Sequence, residues 1–270
     1  MGTNINFNKD LGIGTGTGTN MSFPTGSSFE NLYSFPFDGN NDFIECGNDS
    51  SLQFTGAMTA SAWVKTTETG TFEMVLGKDA ITPATSRSFM LYRSTDYARF
   101  LVFPTSGGNE KVTSTSAIND GNWHHMVGVN NGTDLKIYVD GVLEAINSGG
   151  GGSTLGGTTG QLNIGRRPSA PAHRGYWTGN IDEVSLWNTA LTDGGVSVGQ
   201  TAGGQIAQIY NGGTPNDLSA LNPISWWRMG DAANYESSTW TLTDQGSAGN
   251  DATSTTIPNT TGIPSTDVPT

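Results

Sequence analysis

The run Asp120-Gly121-Asn122-Trp123-His124-His125-Met126-Val127 carries the signature of a β-strand that begins at Trp123. Turn signals surround it. Asn131-Gly132 and Asp140-Gly141 lie beside apolar runs, and Gly accepts the positive φ that a tight hairpin turn needs. This part of the chain therefore predicts antiparallel strands joined by short turns.

Other runs before and after this one also read as strands. In the segment Ala60–Lys65, three small or apolar residues fall on one face, while Ser61, Trp63 and Lys65 fall on the other. The other strand signatures, in order, are Phe37-Asp38-Gly39-Asn40-Asn41-Asp42-Phe43-Ile44-Glu45, Leu135-Lys136-Ile137-Tyr138-Val139-Asp140-Gly141 and Gly179-Asn180-Ile181-Asp182-Glu183-Val184-Ser185-Leu186-Trp187. Many short strands at this spacing favour a sandwich over a βαβ fold.

Taken in order, these five runs resemble the laminin-G/concanavalin A-like sandwich family over roughly residues 30–212. The resemblance implies an all-β fold, a concanavalin A-like two-sheet antiparallel jelly-roll sandwich with one short helix. Ile206, Ile209 and Tyr210 share a helical face, and Gly212 is placed to end that helix. The resemblance indicates a binding or structural module and names no ligand.

Composition narrows the range of partners. The chain has 270 residues, 38 of them Gly, with only 13% charged residues and a formal net charge of −12. An acidic surface repels phosphate backbones, so we expect no nucleic-acid partner.

No run approaches the length of a transmembrane helix, and the first residues lack a basic stretch followed by an apolar one. We expect no membrane partner. A removed signal, another export route or release inside a virus particle would each explain the missing secretion signal.

The sequence divides into three parts. Residues 1–30 form a polar, Gly/Thr-rich N-terminal arm that cannot build a core. Residues 31–212 are the predicted sandwich, and residues 213–270 are a C-terminal extension. Its strand and turn over 223–252 look like the opening segment of the resembled family. They either complete the sandwich or begin a second copy. Completion is favoured, because a lone strand and turn cannot bury their own apolar surface.

Adjacent tryptophans in the extension carry a further expectation. In a strand, one of Trp226 and Trp227 must face inward and the other outward. We expect the outward ring to meet the N-terminal arm, a partner or a ligand.

One turn offers a candidate cation site. Asp38, Asn40 and Asp42 alternate within a tight turn and supply the hard oxygen ligands that Ca²⁺ prefers. Asp182 lies in an apolar strand, where an unpaired carboxylate is costly. Similar domains imply that it could complete one structural Ca²⁺ site with the turn. The alternative is a solvated turn and an Asp182 held by hydrogen bonds.

Aromatic residues offer candidate carbohydrate contacts. Exposed rings beside polar groups hold sugars by stacking, and the candidates are Tyr97, Tyr176, Trp177 and Trp240. Ordinary packing is the alternative for each. A hydrolase is disfavoured: laminarinase-type enzymes carry Glu-x-Asp-x-x-Glu or a close variant, and Ile181-Asp182-Glu183-Val184 lacks the second Glu.

The resulting hypothesis is a non-enzymatic structural or recognition protein of a virus particle, specifically of a bacteriophage. Residues 210–215 and 226–231 resemble strings in marine phage proteins. The hypothesis places the protein in the virion, as a homo-oligomer whose terminal arms contact neighbouring subunits and whose sandwich binds cell-surface glycans or proteins. The alternative is a secreted, extracellular carbohydrate-binding module or adhesin domain, and a glycoside hydrolase ranks third.

Overall fold

The computed structural model describes residues 29–70, 72–79, 87–152, 154–157, 159–167 and 175–270. These residues form sixteen strands and one α-helix, α1 (Gly204–Tyr210). In chain order the strands are β1 (Phe35–Asp38), β2 (Ile44–Gly47), β3 (Met58–Lys65), β4 (Phe72–Lys78), β5 (Phe89–Ser94), β6 (Tyr97–Val102), β7 (Glu110–Ala117), β8 (Trp123–Asn130), β9 (Leu135–Val139), β10 (Val142–Asn147), β11 (Leu162–Ile164), β12 (Thr178–Trp187), β13 (Ser225–Trp227), β14 (Ala233–Glu236), β15 (Thr239–Leu242) and β16 (Ala252–Ser254).

The strands build two antiparallel sheets. One has seven strands in the order β1-β12-β3-β8-β9-β10, with β13 also paired to β12. The other has nine, in the order β14-β15-β16-β2-β11-β4-β5-β6-β7. The predicted all-β, two-sheet sandwich with one short helix is confirmed.

The main core lies between the sheets. Ala60, Ala62 and Val64 of β3 are fully buried in it, as the alternation of the sequence predicts. The sheets approach closely at Gly128, where an added Cβ would lie 2.3 Å from the ring of Phe100. The small residue at this position allows an aromatic ring from the opposite sheet to pack against the strand backbone.

A second apolar cluster covers the outer face of the seven-stranded sheet. Helix α1 contributes Ile206 and Ile209, which pack with Trp187 and Trp226. The helix ends at Asn211, which adopts the left-handed conformation with φ 48°. The C-cap is therefore one residue earlier than the predicted Gly212, because Asn also tolerates this conformation.

The C-terminal extension supplies strands to both sheets. β13 pairs with β12 over three residues, and β16 joins the edge of β2. Trp227 faces the main core, while Trp226 belongs to the second cluster and stacks on Phe29 with ring centroids 6.1 Å apart. The outward ring thus contacts the end of the N-terminal segment, one of the three outcomes predicted. Residues 1–28 of the predicted arm lie outside the described residues.

The segment that precedes β1 meets the C-terminal tail of the chain. Ser34 and Ser265 exchange two backbone hydrogen bonds of 2.9 and 2.8 Å. Asp267 accepts hydrogen bonds from Lys65 Nζ at 2.7 Å and from Trp123 Nε1 at 2.9 Å. These contacts explain how a polar C-terminal tail is ordered. Within the described ranges, no helix has the length and apolarity needed to cross a membrane.

Candidate functional site

A cleft of about 460 Å³ opens between the β2–β3 loop and the C-terminal extension. Four separate segments of the chain line it: the β2–β3 loop, the residue after β12, the residue before β13, and the turn between β15 and β16. The described lining residues are Ser50, Ser51, Gln53, Phe54, Thr55, Gly56, Ala57, Asn188, Ile224, Ser247 and Ala248.

The β2–β3 loop forms the first wall. Asp49 caps the short 3₁₀ turn at Ser50–Leu52, and its carboxylate accepts the backbone N–H of Ser51 at 2.9 Å. Hydrogen bonds from Ser51 N–H and the nearby hydroxyls hold the pKa of Asp49 below its usual value. The turn is fixed further by Leu52 and Phe54, which are buried in the core. This wall is therefore rigidly attached to the sandwich.

The turn between β15 and β16 forms the opposite wall. The carboxylate of Asp244 accepts backbone N–H groups of Trp226, Gly246 and Asn250, each at 2.7 Å. The side-chain amide of Asn250 donates to Ser225 Oγ at 2.8 Å and to Ser51 Oγ at 2.9 Å. The bond to Ser51 joins the two walls directly. The turn from Asp244 to Asn250 thus fixes the distance across the cleft.

Uncharged groups dominate the chemistry of this cleft. Among its described lining residues, the side chains are hydroxyls, two carboxamides and small or apolar groups, with no ionisable side chain. Asn188 is exposed and Gln53 is half-buried. Volumes of about 300–1,000 Å³ are typical of small-molecule sites, in which a few polar groups orient the ligand. The cleft can therefore hold a polar, uncharged ligand through hydrogen bonds.

The sequence-predicted site residues do not line this cleft. Sequence reasoning missed Gln53, Asn188 and Ser247, because three distant segments bring them together. The one available signal was the Asp244–Asn250 turn, whose sequence indicates completion of the sandwich and names no binding role.

The predicted cation ligands separate into two places. Asp38 accepts the backbone N–H groups of Asn40 at 2.8 Å and Asn41 at 3.2 Å, while Asp42 accepts that of Asp38 at 3.1 Å. Partial burial opposes ionisation of Asp38, but these N–H groups outweigh it and lower its pKa. Burial and the neighbouring Asp38 charge raise the pKa of Asp42 to about 6.

Asp182 does not belong to that turn. Asp38 pairs with Thr178 on β12, which is four residues from Asp182. At 3.3 Å per residue, the backbone positions of Thr178 and Asp182 are about 13 Å apart along the strand. Ligands of one Ca²⁺ lie within about 5 Å of each other, since each bond is 2.3–2.6 Å. The shared site with all four residues is therefore wrong. In the described part of the chain, no group of three or more His, Cys, Asp or Glu side chains is arranged to hold a metal. Calcium binding by Asp38, Asn40 and Asp42 stays a prediction.

Asp182 instead belongs to a buried polar network. It accepts hydrogen bonds from Asn31 Nδ2 at 3.0 Å and from Glu183 N–H at 2.8 Å. Glu183 adopts φ 47° at a bulge in β12 and accepts Arg228 Nε at 3.0 Å and the Trp226 indole N–H. Burial raises the pKa of both carboxyl groups. These partners match the alternative in which hydrogen bonds hold Asp182.

Two of the four predicted aromatic contacts are wrong. Trp177 is fully buried, and Trp240 is 4% exposed with its ring edge-on to Phe35. Neither can stack on a sugar without unfolding its surroundings. Tyr97 is 37% exposed at the β5–β6 turn, and Tyr176 is half-buried just before β12. For these two, ligand contact stays a prediction.

Known proteins share this fold at low identity. A mouse protein, "Sushi, von Willebrand factor type A, EGF and pentraxin domain-containing protein 1", is 25% identical over 189 residues, which are 66% of this chain and 5% of the mouse protein. The chain thus spans a small fraction of that relative. A Bacteroides ovatus protein provisionally described as carbohydrate binding superposes with a TM-score of 0.61 and 14% identity, over 84% of this chain and 58% of the other.

The binding domain of Paraclostridial Mosquitocidal Protein 1 superposes with a TM-score of 0.51 and 11% identity, over 79% of this chain and 55% of the other. At these identities the structures show a common fold alone.

A family model decides the relationship. The model of the concanavalin A-like lectin/glucanases superfamily matches residues 38–197, more than half of the chain. This match covers all five runs that carried the resemblance, apart from the first residue of the first run. The chain belongs to the concanavalin A-like lectin/glucanases superfamily.

Proposed function

We propose that this protein is a non-enzymatic recognition module that binds carbohydrate in the cleft between Gln53, Asn188 and Ser247. The observation that carries the proposal is the uncharged, hydroxyl- and amide-lined cleft of about 460 Å³ on a rigid frame. Carboxamides donate and accept hydrogen bonds, which suits the hydroxyl groups of a sugar.

The carboxylates support binding rather than hydrolysis. Glycosidases of the common type place two carboxyl groups on either side of the scissile bond. Asp182 is fully buried and Glu183 is 3% exposed, and their partners are Asn31, Trp226 and Arg228. A substrate could reach these two groups only after that network had opened.

Carbohydrate binding should depend on the two carboxamides of the cleft. We expect Gln53→Ala and Asn188→Ala each to weaken binding of a glycan found on an oligosaccharide array by about 3- to 10-fold, since a hydrogen bond is worth about 0.5–1.5 kcal/mol. Isothermal titration measures the change. Asn109→Ala, an exposed carboxamide in the β6–β7 loop, is the matched control. Unchanged affinity in both cleft variants would remove the cleft from the proposal.

We further propose that this module is a component of a virus particle, specifically of a bacteriophage. The proposal extends the expectation, drawn from the sequence alone, that residues 210–215 and 226–231 resemble strings in marine phage proteins. The polar, Gly/Thr-rich residues 1–28 suit an anchor, since they carry too little apolar surface for a core. A free extracellular carbohydrate-binding module or adhesin domain is the alternative.

Deleting residues 1–28 should separate these two roles. We expect the shortened protein to fold and bind glycan normally, because the described sandwich starts after the deletion. We expect it to be absent from purified particles, as measured by mass spectrometry beside the full chain. Normal incorporation would reject an anchoring arm, and absence of the full chain from particles would favour the free module.

A further inference from the structure

We infer that the cleft selects uncharged glycans and rejects those that carry a carboxylate or sulfate group. This inference rests on the proposed function, in which the cleft binds carbohydrate. It follows from the charges on and around the two walls.

The cleft lacks a partner for an anion. Among the described lining residues there is no Lys, Arg or His, so an acidic sugar would find hydroxyl and amide donors alone. A buried charge is costly unless an opposite charge or several strong donors compensate for its lost hydration. A neutral sugar exchanges hydrogen bonds with water for similar bonds in the cleft and avoids that penalty.

Carboxylates are hydrogen-bonded to residues of both walls. Asp49 bonds to the Ser50 and Ser51 hydroxyls, at 3.3 and 2.9 Å, so its charge touches two lining residues. On the other side, Asp244 accepts the N–H of Gly246, which precedes Ser247. Asp251 accepts the N–H of Asp244 at 2.9 Å. These groups, part of the net charge of −12, repel an anion that enters between them.

The first wall contacts a cation, Lys78, whose side chain is buried away from the cleft. Lys78 is fully buried, and its ammonium donates to the Leu52 carbonyl at 3.0 Å and to Asn48 Oδ1. Burial lowers its pKa to about 8, so it holds its proton less firmly than an exposed Lys. Lys78 therefore does not offer a cationic contact to a ligand in the cleft. Acidic sugars are then rejected because no cation attracts them and the nearby carboxylates repel them. The two effects together give specificity.

The test compares oligosaccharides that differ only in an acidic group. Lactose is compared with 3′-sialyllactose and with 3′-sulfolactose, and xylotetraose is compared with its glucuronic-acid-substituted form. Any neutral glycan found on the array is also compared with its carboxylated analogue. Titration of the full chain at low salt should show at least tenfold tighter binding of the neutral member of each pair that binds. High salt should narrow the gap, because it screens the carboxylates.

Two variants test whether charge at the cleft causes the discrimination between neutral and acidic glycans. Ala248→Lys places a cation on an exposed lining residue, and we expect it to raise affinity for the acidic member at least fivefold. Asn109→Lys is the control for a change in overall charge. Asp49→Asn keeps an N-cap residue and should reduce the discrimination. If acidic and neutral members bind the unmodified chain equally, the inference is overturned while carbohydrate binding stands. If no member binds, the proposed function is overturned and the inference with it.

Discussion

A chain that stops at Gly212 should fail to fold, although it contains the whole segment matched by the superfamily model. Truncation removes Trp227, Met229, Trp240 and Leu242, which are 0–4% exposed in the main core. Burial of four such side chains is worth about 6–12 kcal/mol at about 1.5–3 kcal/mol each. That is comparable to the 5–15 kcal/mol that stabilises a typical domain. Far-UV circular dichroism and thermal melting of the 1–212 chain test this expectation.

A circular permutant is the matched control. It begins at Gly213, runs to Thr270, and continues through a short Gly/Ser linker into residues 29–212. The ends can be joined because Ser34 and Ser265 pair at the same sheet edge, and Gly212 is an exposed residue. The permutant should melt cooperatively and bind glycan as the unmodified chain does. A folded 1–212 chain would instead show that the extension is a separate addition to a complete sandwich.

The fold could be predicted because its signals are local. Alternation over Ala60–Lys65 fixed which side chains face the core, and the Asp140-Gly141 pair fixed a hairpin between β9 and β10. These patterns depend on the pleat of one strand or the φ of one Gly. They remain informative whatever the rest of the chain does.

The site was harder to predict because its residues come from distant parts of the chain. Gln53, Asn188 and Ser247 are separated by more than a hundred and by more than fifty residues, and each lies in a loop without periodicity. Aromatic composition does not distinguish a core ring from an exposed one. Trp240 alternates in a short strand, and alternation alone does not say which face is covered. The structure shows that Phe35 from the opposite sheet covers it.

The partners of Asp182 also could not be predicted from the sequence, here because strand register sets them. The sequence correctly required a partner for a carboxylate in an apolar strand. A bulge between Asp182 and Ser185 changes the register there, and the strand pairing sets Asp182 four residues away from the partner of Asp38. Its partner is therefore Asn31, a residue that precedes β1. Register depends on pairing across the sheet and could not be read from either segment alone.

Asp244→Ala should strongly destabilise the cleft wall formed by the turn between β15 and β16. It leaves the N–H groups of Trp226, Gly246 and Asn250 without their acceptor, and each such loss costs about 1–3 kcal/mol. We expect a loss of about 3 kcal/mol or more, and a melting temperature lower by about 6–12 °C. Carbohydrate affinity should also fall, because the wall that carries Ser247 is no longer held against Ser51 through Asn250.

The control for this substitution is Asp217→Ala. Asp217 is exposed and accepts one backbone N–H, that of Ser219, at 2.9 Å. Its loss should lower the melting temperature by no more than about 2–4 °C, since about 1 kcal/mol is at stake. Asp244→Asn should fall between the two, because one carboxamide oxygen can replace part of the carboxylate. Equal melting temperatures for the Asp244→Ala and Asp217→Ala proteins would mean that water replaces the carboxylate in the turn. The cleft wall would then owe its position to β15 and β16 rather than to Asp244.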